Sequence, residues 1–275
     1  MSTLPNLILV DNKDGVTTLT MNNPARLNGW TQPMMDALRS SMNAAASDDE
    51  TRVLILTGVD PYYCAGVNLS GAFQLAHPRK MHAAIVHNNE ALFNLFLDFP
   101  KPILVAVNGP AIGASVTSAA LCDGIIASEK ATFSTPFEAL GVSPEGCSSV
   151  QFARLMGEHN AARMLGLEGW RPTAQEAHQA GLVQWLAAHD ELQTEARRIA
   201  KKWILEGAVR RFRGGSELNE LKAVNKRESV ALADSFLGTP FIKAQFKFLS
   251  SKKKWAPAAM FLALLAFRPV WSRFL

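Results

Sequence analysis

Lys101-Pro-Ile-Leu-Val-Ala-Val107, running on through Asn108-Gly-Pro-Ala-Ile-Gly113 into the small-residue stretch Ala114 to Leu121, decides the fold. Apolar residues from Ile103 to Val107 without alternation suit a strand buried on both faces. Gly and Pro then punctuate a turn, and the Ala- and Ser-rich run reads as a closely packed helix. Asp123-Gly-Ile-Ile-Ala127 is a further strand. Upstream, Arg52-Val-Leu-Ile-Leu-Thr-Gly58 has the same character. It leads through a loop containing Pro61, Gly66 and Gly71 to a helix predicted from about Arg79 to Asp98. Buried strands alternating with helices predict right-handed βαβ crossovers, a largely parallel sheet and the α/β class.

Working outward, residues 7–21 read as two short strands around the turn formers Asp11-Asn12-Lys13-Asp14-Gly15. From Thr31 to Ala46 the spacing is helical, with Met34, Met35, Leu38 and Met42 on one side and Thr31 as N-cap. From about residue 145 the pattern turns helical. Thr173-Ala-Gln-Glu176 matches a capping box, Leu182–Leu186 is the last strand pattern, and residues 188–251 read as several helices. The expected organisation is a core over 1–200, a C-terminal helical region over 201–251, and a basic and apolar tail over 252–275.

The 275 residues are 48% hydrophobic and 19% charged, a globular composition. Cys64, Cys122 and Cys147 have no CxxC or Cys/His spacing, so neither a disulfide framework nor zinc is expected, and a reducing compartment is the natural setting. Net charge is +4. Lys252–Lys254 form a run, and Lys201, Lys202, Arg210, Arg211 and Arg213 cluster. Cofactor phosphates, an anionic membrane or a solvated surface all fit such a cluster. No nucleic-acid motif accompanies it, so nucleic acid is not expected. The N-terminus lacks the basic and apolar regions of a secretory signal. The apolar run between Lys254 and Arg268 is short of the ~20 residues of a membrane span. A terminal helix packed on another subunit is the favoured reading, with peripheral membrane contact through the tail as the alternative.

Three segments carry chemistry. Tyr62-Tyr-Cys-Ala-Gly-Val-Asn-Leu69 and Val107-Asn-Gly-Pro-Ala-Ile-Gly-Ala-Ser115 are Gly-containing turns that follow buried strands, and the second opens a helix. Glycine lets the backbone aim an N–H at a ligand, and the first N–H groups of a helix have no internal partner. Ordinary βα turns share these features. In the third segment, Leu140-Gly-Val-Ser-Pro-Glu-Gly-Cys-Ser-Ser149, Pro144 and Gly146 bracket Glu145 at a predicted helix start. There an acid would also simply favour the helix dipole.

In this order and spacing the segments resemble the crotonase (enoyl-CoA hydratase/isomerase) superfamily over about residues 5–250. Asn108-Gly-Pro-Ala-Ile-Gly with Ser143-Pro-Glu-Gly-Cys-Ser-Ser resembles its peroxisomal-type Δ3,Δ2-enoyl-CoA isomerases. The resemblance implies a crotonase-type ββα spiral core with a C-terminal helical oligomerisation region, assembled as a homotrimer or hexamer. It implies an acyl-CoA thioester substrate and no cofactor beyond the coenzyme A of that substrate. It also implies an oxyanion hole from the backbone N–H groups of Val67 and Ala114, and CoA contacts at Arg26, Leu27, Ala65 and Asn68. Glu145 falls on the single catalytic acid, and Asn89 on an Asn that orients it, with Asn88 the neighbouring alternative. The two glutamates that activate water in hydratases fall on Thr117 and Phe137. Glu138 is one residue off, about 100° around a helix. Hydration needs a positioned acid and base, so isomerisation is expected instead. Phe93, Phe96, Leu97 and Phe137 are candidates to line the acyl pocket, though their spacing fits plain core equally well.

Other readings have less support. The six histidines include no His-x-x-x-His with an acid, and there is no GxSxG elbow, GxGxxG or Walker spacing. Two rivals remain: another enolate reaction on the same fold, and a non-catalytic module that keeps the acyl-CoA pocket. Ser272-Arg-Phe-Leu275 is not the Ser-Lys-Leu peroxisomal address. Peroxisome, mitochondrion and cytoplasm all stay open.

Overall fold

The structure, a computed structural model, describes residues 6–68 and 76–275, so Gly71 of the loop after Gly58 lies outside the described residues. β1 (Ile8–Lys13) and β2 (Val16–Met21) pair antiparallel across Asp14-Gly15, where both residues take positive φ. α1 (Gln32–Ser47) starts where expected, with the Thr31 side chain accepting from the Met34 N–H and Met34, Leu38 and Met42 buried. β3 (Val53–Gly58), α2 (Pro78–Leu97) and β4 (Ile103–Val107) follow. Next come β5 (Ala111–Ile112), α3 (Ala114–Ala120), β6 (Gly124–Ser128), β7 (Phe133–Ser134), α4 (Phe137–Leu140) and α5 (Ser148–Leu165). α6 (Ala174–Ala180) opens with the predicted capping box at Thr173 and Glu176, and β8 (Trp185–Ala187) comes three residues later than the strand expected from Leu182.

The six-stranded sheet runs β1-β2-β3-β4-β6-β8, parallel from β2 onward. A second, shorter ladder grows beside it. Trp30 bridges Val67, Cys64 bridges Ala111, β5 pairs with β7, and Thr132 bridges Thr173. Each turn of chain therefore adds one link to both ladders, which is the expected ββα spiral. The stacking sets the loop after β3 directly on the loop after β4.

Side chains alternate across the sheet. Leu54, Leu56, Ile103, Val105 and Val107 face the main core with Trp30, Phe93 and Phe96. Val53, Ile55, Leu104, Ala106 and Ile126 face Leu192, Ala196, Ile199 and Ala200 of α7 (Leu192–Leu205). Both faces are covered, so these strands read as continuous apolar runs. Full burial of Leu192 or Ile199 contributes about 1.5–3 kcal/mol each. The boundary expected at residue 200 falls inside α7.

α8 (Leu218–Phe236) lies along α2. The seam is polar: Asn89 Nδ2 donates to Ser229 Oγ at 3.0 Å, and Asn225 Nδ2 donates to Glu90 O and Asn94 Oδ1 at 3.0 and 3.1 Å. Lys222–Asp98 and His82–Asp234 contacts flank it.

α9 (Thr239–Ser251) reverses at Lys253, which takes positive φ, and α10 (Trp255–Ala266) folds back against it, so part of the tail is covered within its own chain. Ala258 and Phe261 join Phe137, Leu232, Phe241 and Leu249 in a separate apolar cluster. After α11 (Arg268–Trp271), Phe274 reaches His77 edge-on at 6.0 Å. An all-apolar helix has no stripe to announce which face is covered. Among the described residues no single helix is long and apolar enough to cross a membrane, and α10 is bent 55° from the segment that follows it.

The basic cluster is not one patch. Lys201 pairs with Asp14 and Lys202 with Glu206. Arg210 is buried against Asp123 at 2.8 Å, and Arg213 donates to Cys122 O and Leu182 O. Burial lowers the Arg213 pKa to about 10. Inward-turned guanidiniums satisfy carbonyls at the end of the sheet, a role that a count of charges cannot reveal.

Candidate active site

The backbone of the first turn is nearly all accounted for. Ala65 N–H donates to Leu27 O at 3.0 Å, Gly66 N–H to Cys64 Sγ at 3.3 Å, and Asn68 N–H to Trp30 O at 3.0 Å. Between them, the Val67 N–H has no acceptor among the described residues. In the parallel bridge with Trp30, the bonds to Trp30 come from residues 66 and 68, so the Val67 N–H points the other way. In the second turn, Ala111, Ile112 and Gly113 donate to Thr132, Cys64 and Ser134. Ala114 is the first residue of α3, and its N–H has no acceptor among the described residues, as helix starts dictate. Gly66 (φ +79°) and Gly113 (φ +61°) shape the two turns. A Cβ on Gly66 would sit 2.5 Å from Ile112 O and 3.9 Å from Gly113 Cα, so the backbones pass as closely as a missing side chain permits.

The Leu27 O to Ala65 bond also brings together two of the expected CoA contacts. Leu27 (φ +52°) is an exposed residue closing the 3-10 turn Pro24–Arg26, and Arg26 is exposed beside it. Asn68 continues the same edge.

The third segment is locked from both sides. Gly146 (φ +65°) and Cys147 (φ +62°) are consecutive left-handed residues before α5. A Cβ on Gly146 would lie 2.4 Å from Phe93 Cε1 and 2.7 Å from Thr117 Oγ1. Thr117 Oγ1 donates to Ala114 O at 3.2 Å. The turn after Glu145 thus rests on α2 and on the first turn of α3. Glu145 is 8% exposed. Burial first, and then the neighbouring Glu228 carboxylate, push its pKa up to about 8. No hydrogen bond to its carboxylate is formed among the described residues.

Glu228 of α8 was not singled out from the sequence. It is 5% exposed and accepts from the Cys147 N–H at 2.6 Å, the Ser149 N–H at 3.0 Å and the Ser149 hydroxyl at 2.5 Å. These are charge-assisted bonds to the start of α5, worth ~1.5–3 kcal/mol each. They oppose the ~1–2 kcal/mol cost of a left-handed Cys147. The dipole-complementing role considered for Glu145 is therefore filled by Glu228. Nothing local to Glu228 signalled this, because its partners are about eighty residues away.

The other expected residues separate. Asn89 is buried, and its hydrogen bond goes to Ser229 Oγ; none from it to Glu145 is formed among the described residues. Phe93 packs against Gly146. Phe96 stacks near Trp30, with ring centroids 6.1 Å apart, and it and Leu97 lie in the main core. Phe137 belongs to the C-terminal cluster, and Glu138 beside it is exposed. Neither position expected to match a hydratase glutamate carries an acid: Thr117 is fully buried and Phe137 is apolar. Among the described residues no group of three or more His, Cys, Asp or Glu side chains forms a metal-holding cluster.

With this geometry in hand, the family comparison decides the lineage: the profile of the family described as Enoyl-CoA hydratase/isomerase matches residues 11–236. The chain belongs to that family. Within this enoyl-CoA hydratase/isomerase family it is 36% identical to the rat protein named Enoyl-CoA delta isomerase 2 over 261 residues. That alignment covers 90% of this chain and 64% of the relative, so the chain spans just under two thirds of that protein. It is 34% identical to the rat Chromodomain Y-like protein over 254 residues, 89% of this chain and 43% of the relative. A crystal structure of an enoyl-CoA hydratase/isomerase from Pseudoalteromonas atlantica T6c superimposes with a TM-score of 0.71 at 27% identity, covering 89% of this chain and 97% of that one. The fold is accordingly the crotonase type.

Proposed function

We propose that the protein is a Δ3,Δ2-enoyl-CoA isomerase acting on acyl-CoA thioesters. One observation carries this reading: Glu145 is a buried carboxylate with a raised pKa, on a turn that rests against Thr117 of α3, and neither Thr117 nor Phe137 of α4, the expected hydratase positions, is an acid. The thioester carbonyl oxygen of a 3-enoyl-CoA accepts from the Val67 and Ala114 N–H groups. Glu145 takes the proton from C2, and that electron pair delocalises through C1 onto the oxygen and through the C3–C4 double bond. The protonated Glu145 returns the proton to C4. The double bond re-forms between C2 and C3, and the carbonyl is restored. One carboxylate serves as base and then as acid, and a carboxyl titrating near neutrality suits both roles. Developing charge on the oxygen is where backbone donors act most strongly.

The 36% identity to a protein named as a delta isomerase supports the reading. The similarly close relative whose name states no enoyl-CoA reaction keeps a second one in view: an acyl-CoA-binding module without turnover. The test follows absorbance of the conjugated product from a 3-enoyl-CoA, with Glu145→Gln alongside. An isomerase turns over in the native form, loses about 10²–10⁴-fold in kcat in the variant, and binds the CoA ester in both. Binding without turnover in the native form supports the module. Hydration of 2-enoyl-CoA as fast as isomerisation would overturn the proposal.

A further inference from the structure

We infer that Glu228 is a positioning residue of the isomerase site, clamping the 145–149 turn from α8 and holding a second negative charge behind Glu145. This rests on the isomerase reading above. Among the described residues Glu228 forms no hydrogen bond to either Gly-containing turn; it acts through the segment that presents the acid. Its carboxylate receives three hydrogen bonds from two residues, the Cys147 and Ser149 N–H groups and the Ser149 hydroxyl. Two successive left-handed residues followed by a helix start turn their N–H groups into one concavity, an arrangement suited to an anion. Here the anion is a side chain delivered by another helix. That helix is itself fixed, because Ser229, the next residue, holds Asn89 of α2 and donates to Asn225 O. Asn89, expected to orient the acid, thus connects to it through α8.

The clamp carries a charge that plain packing would not need. The ionisable groups acting on the pair are few. Glu145 is pushed up by burial and then by Glu228, while Glu228 is itself pushed up by burial against the opposing Ser149 and Cys147 hydrogen bonds and, last, Arg227 beside it on α8. The Cys147 thiol on the turn is pushed up by burial and by Glu228, with Arg227 and Glu220 also acting on it. α2 and α3 present Phe93 and Thr117 to the turn. Burial raises the pKa of Glu228 as well; when Glu228 is ionised it favours the protonated form of Glu145 and makes the Glu145 carboxylate a stronger base.

The test is the pH profile of kcat/KM for a 3-enoyl-CoA in native protein, Glu228→Gln and Ser149→Ala. Glu228→Gln removes the charge and keeps only one of the two accepting oxygens, so one backbone N–H of the turn loses its acceptor. Its acid limb is expected to move to lower pH by about one unit, with KM held. Glu228→Ala also loses the clamp, and its kcat is expected to fall about 10–100-fold. Ser149→Ala, at an exposed position, strips one donor from Glu228 and moves the limb the same way by less. Limbs that coincide in the native protein, Glu228→Gln and Ser149→Ala would overturn the proposal. A second measurement needs no variant of Glu228 and no turnover. In native protein labelled with ¹³C at glutamate carboxyls, with Glu145→Gln for assignment, Glu145 and Glu228 are expected to titrate in two mutually dependent steps. Two independent single-site curves would overturn the proposal even if the protein proved to be no isomerase. Absence of native turnover with coupled titration would sink only the isomerase reading.

Discussion

Glu228 accepts the Cys147 N–H at 2.6 Å, so the helix start that follows Glu145 is held by a different acid from the one it presents. This frees the Glu145 carboxylate from the donors that normally keep a helix-start acid ionised. Its elevated pKa follows from burial without compensation, and then from the like charge nearby.

That elevation has a sign that can be tested twice. As a base Glu145 must be ionised, so kcat/KM should rise with pH and level off above about 8. In folding, the native carboxyl keeps a proton that the unfolded chain has already released above its ordinary pKa. Native stability therefore falls as pH rises from that ordinary value through the folded one. Glu145→Gln removes this dependence. Chemical denaturation should show the variant gaining on the native protein across that window, by ~3–5 kcal/mol at its upper end. A pH-independent difference would count against the burial argument.

Ala114→Pro deletes one proposed donor, with ring atoms added at a buried position. Proline is tolerated at the first position of a helix, where the N–H has no helical partner. The backbone is not strained, but the added ring atoms overpack a buried position at about 1–3 kcal/mol, while kcat per folded molecule should fall about 10²–10³-fold. Steady-state kinetics beside a thermal melt separates the two effects. Unaltered kcat would remove Ala114 from the site.

Gly146→Ala places a Cβ against the Phe93 ring and Thr117 Oγ1 and strains a left-handed residue. Overpacking of this kind costs about 1–3 kcal/mol. The displaced turn should also carry Glu145 out of line, so activity should drop by more than the unfolded fraction explains. Urea denaturation and kcat on the same preparation test this.

Breaking the Arg210–Asp123 pair should be purely structural. Arg210 also donates to Phe96 O and Leu121 O, and Asp123 accepts the Ile103 and Arg211 N–H groups. Removing either partner leaves a buried charge or buried acceptors uncompensated, about 3–5 kcal/mol. Asp123→Ala should lower the unfolding midpoint while leaving the acid limb of the pH–rate profile where it is.

The sequence by itself determined strands β1 to β4 and β6, a largely parallel sheet and the two Gly-containing turns. Each depends on short-range pattern: unbroken apolar runs such as Ile103–Val107, the Thr31 and Thr173 caps, and Gly where φ must be positive. It also marked Glu145, because Pro144 and Gly146 bracket it. Only the tertiary structure decided what surrounds that acid. Glu228 sits in a helix whose own pattern is unremarked, the bond of Asn89 goes to Ser229, and Arg210 and Arg213 turn inward. α10 folds onto α9, although nothing in an all-apolar segment says which face is covered. The reason is physical. Backbone conformation and burial period are set by neighbours along the chain, whereas the partner of a buried polar group is whichever element the fold brings within hydrogen-bond reach.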